Sequence, residues 1–459
     1  MQIAEELAAY CRKLKFAALP NEVVESAKYY TLDTLAVTVR GTKETSSRIM
    51  QGFVAENSST GSGGVVIGTK NLAPYQYAAL ANGTACHALE LDDVNNESSL
   101  HPGTVIVPAC LAACEMTGKG GREFIEGVVV GYEVMIRIGK AIGPRQHYDR
   151  GFHPTGTCGV FGAAAAVAKI MGLTREQIAM ALGIAGSQAA ASLEFLSDGS
   201  WTKRMHCGWA AHNGIIASML AKRGFTGPRS ILEGVHGFLH AYSDHADAKK
   251  ILDKMGESFE ILRCSIKPHA CCRYMQPPID GILKLKNEKK IEAADVKKVT
   301  LGILKAGFPI VVYPMENKFR PTTTYGAQFS MPFGAALALS YGDVSLDRFN
   351  EKNLRAKDIL GLAARVQCVE NPQIEKLYPK QWAATVEIET KDGATYSTRI
   401  DYPKGDPENR LTWDELASKA RKLMDSVPLR AKTADLMASI QKLEKEKNIS
   451  TLAAKLMAE

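Results

Sequence analysis

The sequence predicts a mainly α protein: a large all-helical domain built from both chain ends, residues 1–265 and 402–459, with an α+β lid domain inserted as residues 266–401. Three observations carry this expectation. Up to about residue 265, apolar residues recur at three- and four-residue intervals in almost every window, as in EFIEGVVVGYEVMIRIGKAI. From 266 to 401 that spacing yields to β-branched and alternating runs. Beyond Pro403 the helical spacing returns.

The elements follow in chain order. CGVFGAAAAVAKIMGL is apolar on every face and rich in Ala and Gly, the composition of a helix packed on all sides at the centre of a bundle. Thr174 and Gln177 then form a T-x-x-Q capping box that starts the next helix. In the inserted region, VKKVTLGILKAGFPIVVY and WAATVEIETKDGATYSTRI read as strands, and Asp392-Gly393 reads as a hairpin turn within the second. QFSMPFGAALALSYG, rich in small residues, reads as a helix between them. Thr412 and Glu415 form a second capping box ahead of ASKARKLM.

Composition narrows the functional classes. With 459 residues, 46% hydrophobic and 23% charged, the chain can bury a large core. MQIAEELAAYCRKLKF interrupts every apolar run with charge, and the Ala-rich stretch is too short to span a bilayer, so a cytoplasmic protein without membrane contact is expected. Ten cysteines without a paired CxxC pattern are expected to be reduced thiols. The net charge of +7 is scattered rather than gathered into an aromatic-bearing stripe, which argues against nucleic acid and for a small anionic substrate. No G-x-S-x-G elbow or P-loop supports a hydrolase or NTPase. His236 and His240 have ligand spacing, with His245 nearby, but lack the Glu of H-E-x-x-H, so neither a metal nor another cofactor is expected.

Four clusters carry chemistry. HALELDDVNNESSLHPG places Glu90, Asp92, Asp93, Glu97 and His101 around a loop, where a carboxylate can set the tautomer or charge of an acid/base imidazole. A loop of helix-capping aspartates is the bland alternative. DRGFHPTGTCG puts His153 just before the buried Ala-rich helix, whose N-terminus can attract a carboxylate. SLEFLSDGSWTKRMHCGWAAHNG brings Lys203, Arg204, His206 and His212 into a largely apolar layer; Lys203 needs a counter-charge there, from a substrate carboxylate or from Glu194 or Asp198. IKPHACCRYMQP opens the inserted region with Lys267, His269, Cys271, Cys272 and Arg273.

In this order, HALELDD with HPG, GFHPTGTCG, GSWTKRMHCGWAAHNG, IKPHACCRY and RPTTTYGAQFSMPF, the chain resembles the MmgE/PrpD family along nearly its whole length. The resemblance implies a homodimer and an active site between helical domain and lid, lined by Glu90, Asp93, His101, His153, Lys203 and Lys267. Cys272 and Tyr313 join Glu90 and Lys267 as expected substrate-binding residues, and closure of the lid is expected to complete the carboxylate site and exclude water. In aconitate decarboxylase-like members Asp matches Glu90 and His matches Cys272, so this chain departs from that pattern twice.

The implied chemistry is cofactor-independent proton transfer beside carboxylates of a small di- or tricarboxylic acid. Lys203 and Lys267 would neutralise an enolate-like state, and His101 would move the proton with Asp93 as its orienting partner. His153 and Lys203 complete the expected catalytic set, and Tyr148 is a further proton-carrier candidate. Departure of hydroxyl makes a dehydratase and departure of carbon dioxide a decarboxylase, both lyases. Return of a proton to the opposite face makes an epimerase of an aminodicarboxylate. A catalytically silent binder of an acidic metabolite is the third reading.

Overall fold

A computed structural model describes residues 2–58 and 62–459. Its longer helices are α1 (Ile3–Lys13), α2 (Asn21–Gly41), α3 (Tyr75–Cys86), α4 (Gly103–Thr117), α5 (Gly121–Ile142), α6 (Pro154–Ile170), α7 (Arg175–Gly186), α8 (Thr202–Lys222), α9 (Gln276–Lys289), α10 (Met331–Tyr341) and α11 (Trp413–Met424). Two units result: one of residues 1–88, 92–264 and 412–459, the other of residues 89–91 and 265–411. Residues 402–411 thus cluster with the second unit, although the sequence places the return to the first at 402. Among the described residues no helix is long and apolar enough to cross a membrane.

The first unit is helical apart from short pairings such as Gly64–Val65 with Leu72–Ala73. At its centre lies α6, every residue of which is buried, with α4, α5, α7 and α8 packed around it. The nearly all-apolar composition read from the sequence is what such a position requires, because a charge without a solvent face needs a partner, as Lys169 finds in Glu126 at 3.1 Å. The two predicted capping boxes are both formed. Thr174 and Gln177 exchange bonds of 3.2 and 3.0 Å, and Thr412 and Glu415 exchange bonds of 3.2 and 2.7 Å. The second starts α11, which packs on α2, and Lys419 Nζ meets the buried Asp33 carboxylate of α2 at 2.7 Å. That ion pair ties the C-terminal segment back to the helical unit.

Close approach of α3 and α8 is set by glycine. A Cβ on Gly83 would lie 2.7 Å from Gly208 Cα, and one on Gly208 would overlap the Leu80 carbonyl oxygen. Only hydrogen fits at that crossing. The crossing matters because the C-terminal end of α3 carries His87 and the first turns of α8 carry Lys203 and His206.

The second unit holds a four-stranded sheet of β1 (Val296–Ile303), β2 (Val366–Glu370), β3 (Ala384–Thr390) and β4 (Thr395–Ile400), in the order β2-β1-β3-β4. β1 runs parallel to β2 and antiparallel to β3, while β3 and β4 form the hairpin expected at Asp392-Gly393, with Glu389 opposite Thr395. Gly393 adopts φ +91°, the left-handed conformation that such a turn demands. Helix α9 covers β3 and β4, and α10 packs on α9. One expected strand is shorter than its sequence suggested: β1 stops at Ile303, and Phe308–Val312 forms a π-type turn instead. Gly307 and Pro309 lie at that break, and proline has no N–H to give a ladder.

Candidate active site

In the first unit, side chains from four stretches of sequence converge. His87 caps the C-terminal end of α3, Asp92 and His101 flank the loop that leads into α4, His153 is the N-cap of α6, and Lys203 and His206 sit in the first turns of α8. All six are buried. The ring centroids of His87 lie 5.0 Å from His101 and 5.6 Å from His153, the second pair nearly parallel at 20°, and His153 lies 5.4 Å from His206.

Asp92 organises this group. Its Oδ2 lies 2.9 Å from Nδ1 of His87 and 2.9 Å from Nδ1 of His101. His101 Nδ1 is also 2.7 Å from the Asp93 carbonyl oxygen. Two acceptors face that nitrogen, so it carries the hydrogen and Nε2 keeps the lone pair. His101 retains 11% exposure of its side chain, whereas Asp92 retains 1% and His87 none. The arrangement therefore presents one basic nitrogen, His101 Nε2, from a carboxylate-anchored imidazole. The anchor itself stays out of reach.

Burial, opposed by Asp92, lowers His87 to about 4, and burial together with His87 and Lys203 lowers His206 to about 4. His153 is held well below the usual imidazole value by burial and then by His206, His87, Lys203 and His101. These three imidazoles are neutral at neutral pH. His153 and His206 face each other through Nδ1 at 3.2 Å, so one of the two nitrogens donates and the other accepts. A polyanion entering the cluster would meet Lys203 and rings whose protonation it favours.

Asp93 is not the carboxylate that orients His101. Its Oδ1 accepts from Gly103 N at 2.9 Å, its Oδ2 accepts from Tyr132 Oη at 2.8 Å, and only its backbone carbonyl reaches His101. Gly103 is required for this, since a Cβ there would stand 2.7 Å from Asp93 Oδ1. Burial raises the Asp93 carboxyl to about 8, against the lowering by Tyr132. Raised above its ordinary value of 3.8, this carboxyl costs stability progressively as pH rises from about 4 to about 8, where only the unfolded chain ionises freely. Asp93→Asn, whose amide can donate to Tyr132 and accept from Gly103, is expected to flatten the fall of Tm between pH 5 and 8 and to keep activity within about tenfold of wild type. Thermal melts across that range check the first outcome and steady-state rates the second.

The second unit holds its own pair. Lys267 Nζ lies 3.7 Å from Glu90 Oε2, with 1% and 2% of the side chains exposed. Glu90 adopts φ +56°, a left-handed backbone that a residue with Cβ enters at a cost of roughly 1–2 kcal/mol. Gln328 fixes the neighbouring backbone by donating from Nε2 to the Leu89 and Ala270 carbonyls at 2.9 and 2.8 Å, and its own carbonyl accepts from Cys272 N at 2.9 Å. Cys272 is 8% exposed, and Tyr313 is half-exposed.

Other sequence candidates have different employment. His269 Nε2 meets Asp280 Oδ1 at 2.8 Å and Arg273 meets Asp406 at 2.6 Å, so both basic groups are neutralised within their unit. Arg204 donates to Ser46 Oγ at 2.9 Å, and His212 stacks on Trp209 with planes 3° apart. Tyr148 donates to the Ser99 carbonyl at 3.2 Å. His236, His240 and His245 are exposed. Sequence reasoning gave no role to His87, and it placed Asp92 and His206 within their clusters without assigning either to the site. The signal for the first two was a histidine at a helix end five residues before one of two adjacent aspartates.

His87, Asp92 and His101 are also the group among the described residues whose ligand atoms lie near enough, within 4.8 Å, to hold a metal ion.

Comparison with known proteins bears on these groups. Residues 5–251 match the MmgE/PrpD N-terminal domain and residues 269–445 the MmgE/PrpD C-terminal domain. The cis-aconitate decarboxylase-like protein oryM of Aspergillus oryzae is 28% identical, covering 100% of this chain and 98% of its own length. Cis-aconitate decarboxylase of Aspergillus terreus is 26% identical over 98% of this chain and 95% of its own length, and that of Mus musculus 26% identical over 98% and 92%.

Proposed function

The chain belongs to the MmgE/PrpD family, and from that premise we propose that it is a lyase that transfers a proton, without a cofactor, at a carbon beside the carboxylates of a small tricarboxylic acid, cis-aconitate being the first candidate. The observation that carries the reading is the anchored imidazole: His101 Nδ1 held at 2.9 Å by the buried Asp92 carboxylate, with Nε2 left as the working nitrogen. Relatives along the full chain that bear the name of cis-aconitate decarboxylase support the substrate class.

In the decarboxylase form of this reaction the bond between the skeleton and one carboxylate breaks and carbon dioxide leaves without the bonding electrons. The pair is delocalised toward a remaining carboxylate, which becomes enolate-like and dianionic. Lys203, buried among neutral imidazoles, supplies the positive charge that this state needs, in a setting where water screens little. The partial positive end of α6 beside His153 acts in the same sense. Protonated His101 then delivers its Nε2 proton to carbon, while Asp92 stabilises the imidazolium before transfer and holds the neutral ring in place after it. In the dehydratase form the same imidazole removes the carbon-bound proton and hydroxide leaves from the neighbouring carbon.

Incubating the protein with cis-aconitate, 2-methylcitrate and citrate, and following carbon dioxide, alkene absorbance and substrate loss, tests the assignment. Carbon dioxide from cis-aconitate is the expected result, and water loss from a hydroxy acid keeps the lyase reading with the other leaving group. No conversion of any of the three refutes it.

A further inference from the structure

His87 takes no direct part in the reaction proposed above, yet it shares one carboxylate oxygen with the imidazole that does. Oδ2 of Asp92 stands 2.9 Å from Nδ1 of each ring, and the two rings are 5.0 Å apart. We propose that His87 is a positioning residue: its Nδ1–H donates to Asp92 Oδ2, and by sharing that oxygen's charge it sets how strongly Asp92 holds a proton on His101. The inference rests on the lyase reading for its consequence, though not for its geometry.

The unused end of the ring supports it. His87 is wholly buried, and its Nε2 has no hydrogen-bond partner among the described residues. Buried polar groups are paired in the great majority of proteins, and an orphan costs about 1–3 kcal/mol. A histidine retained for packing alone has no reason to incur that cost. Leucine or phenylalanine would fill the same space without it. What the imidazole gains is the one bond it makes, to Asp92. The titratable groups facing it are Asp92 and His101 from the loop after α3, His153 at the start of α6, and Lys203 and His206 on α8. Held neutral by its burial and, in smaller part, by Lys203 and His101, His87 acts as a donor of fixed direction.

The sign of its effect follows. A hydrogen bond donated to a carboxylate draws off part of its charge, so removing the donor leaves Asp92 more negative toward His101. In His87→Leu the limb of the kcat/KM profile that reports His101, the alkaline limb where the imidazolium delivers the proton and the acid limb where the neutral ring removes one, is expected to move up by about one pH unit. In His87→Asn, whose amide nitrogen falls where Nδ1 stood, the limb is expected to stay within a few tenths of a unit of wild type. If both variants lose rate or stability with the limb unmoved, His87 is structural and the proposal is wrong. A measurement on the wild-type protein covers the case in which His87→Leu does not fold. Imidazole ¹⁵N NMR of the unliganded full chain between pH 6 and 8 is expected to find His87 as the neutral Nδ1–H tautomer, whereas an Nε2–H tautomer overturns the proposal. That spectrum needs no substrate, so failure of the lyase reading and failure of this one are distinguishable.

Discussion

His101→Ala is expected to lower kcat by about 10²- to 10⁴-fold on whichever acid the protein turns over, the range that a well-placed proton carrier supplies. The structure argues for an effect on the chemical step rather than on binding alone. Both acceptors around His101 Nδ1, Asp92 Oδ2 at 2.9 Å and the Asp93 carbonyl at 2.7 Å, fix the ring from behind, and the ring's remaining nitrogen is its only free polar atom. With the ring gone, neutral His153 and His206 remain, already engaged with each other at 3.2 Å. Neither is anchored by a carboxylate as His101 is. The fold should survive, because the lost bonds lie in a loop ahead of α4 and not in the packing of α6. A fall in Tm of no more than about 4 °C, measured by calorimetry, is expected. A rate within tenfold of wild type would remove His101 from the mechanism.

Asp92→Asn is expected to cost about 10³-fold in kcat, a scale comparable with neutralising a buried carboxylate that fixes a working imidazole in other enzymes. Two losses combine. The amide carries no charge to stabilise the imidazolium, and its NH₂ group, if turned toward His101, would favour the wrong tautomer. Steady-state kinetics of Asp92→Asn beside Asp93→Asn makes the comparison sharp, since the two residues are adjacent and equally buried. A large loss at 93 with little at 92 would reverse the assignment made from geometry.

That pair also marks where sequence reading reaches its limit. The motif HALELDDVNNESSLHPG established that carboxylates stand beside His101, but neighbouring residues differ in direction by what the fold places opposite them. Tyr132, on α5, takes Asp93 Oδ2 at 2.8 Å and so turns that side chain away from the histidine. Nothing local to the loop announces a tyrosine 39 residues distant. The same holds for Lys203, His206, Arg204 and His212, all on α8. Helical spacing separates their faces, yet which face meets His153 depends on how α8 crosses α3 and α6. By contrast, signals confined to one element were readable. The two capping boxes, the Asp392-Gly393 hairpin and the wholly buried α6 each follow from a few contiguous residues. The strand expected beyond Ile303 was too long because the β-branched residues at Ile310–Val312 resemble a strand in isolation, although the chain has already left the sheet through the turn at Lys305–Gly307.

The unit 2 residues Glu90 and Lys267 add a physical point about the departures noted at the sequence level. Glutamate at position 90 reaches to 3.7 Å of Lys267 from a strained backbone, so its carboxylate lies against a lysine that is itself almost wholly buried. The pair is a local charge balance within one unit, and its identity as Glu rather than Asp alters the reach of that carboxylate by one methylene.

The central claim is proton delivery to a carbon beside carboxylates by a metal-independent histidine. The most direct measurement is turnover of cis-aconitate in deuterated water after treatment with a chelator, with the product examined by NMR. The account requires a product carrying one deuterium on carbon, formed at the same rate as by the untreated enzyme in the same solvent. A product without deuterium, or activity lost to the chelator and restored by zinc, would contradict it.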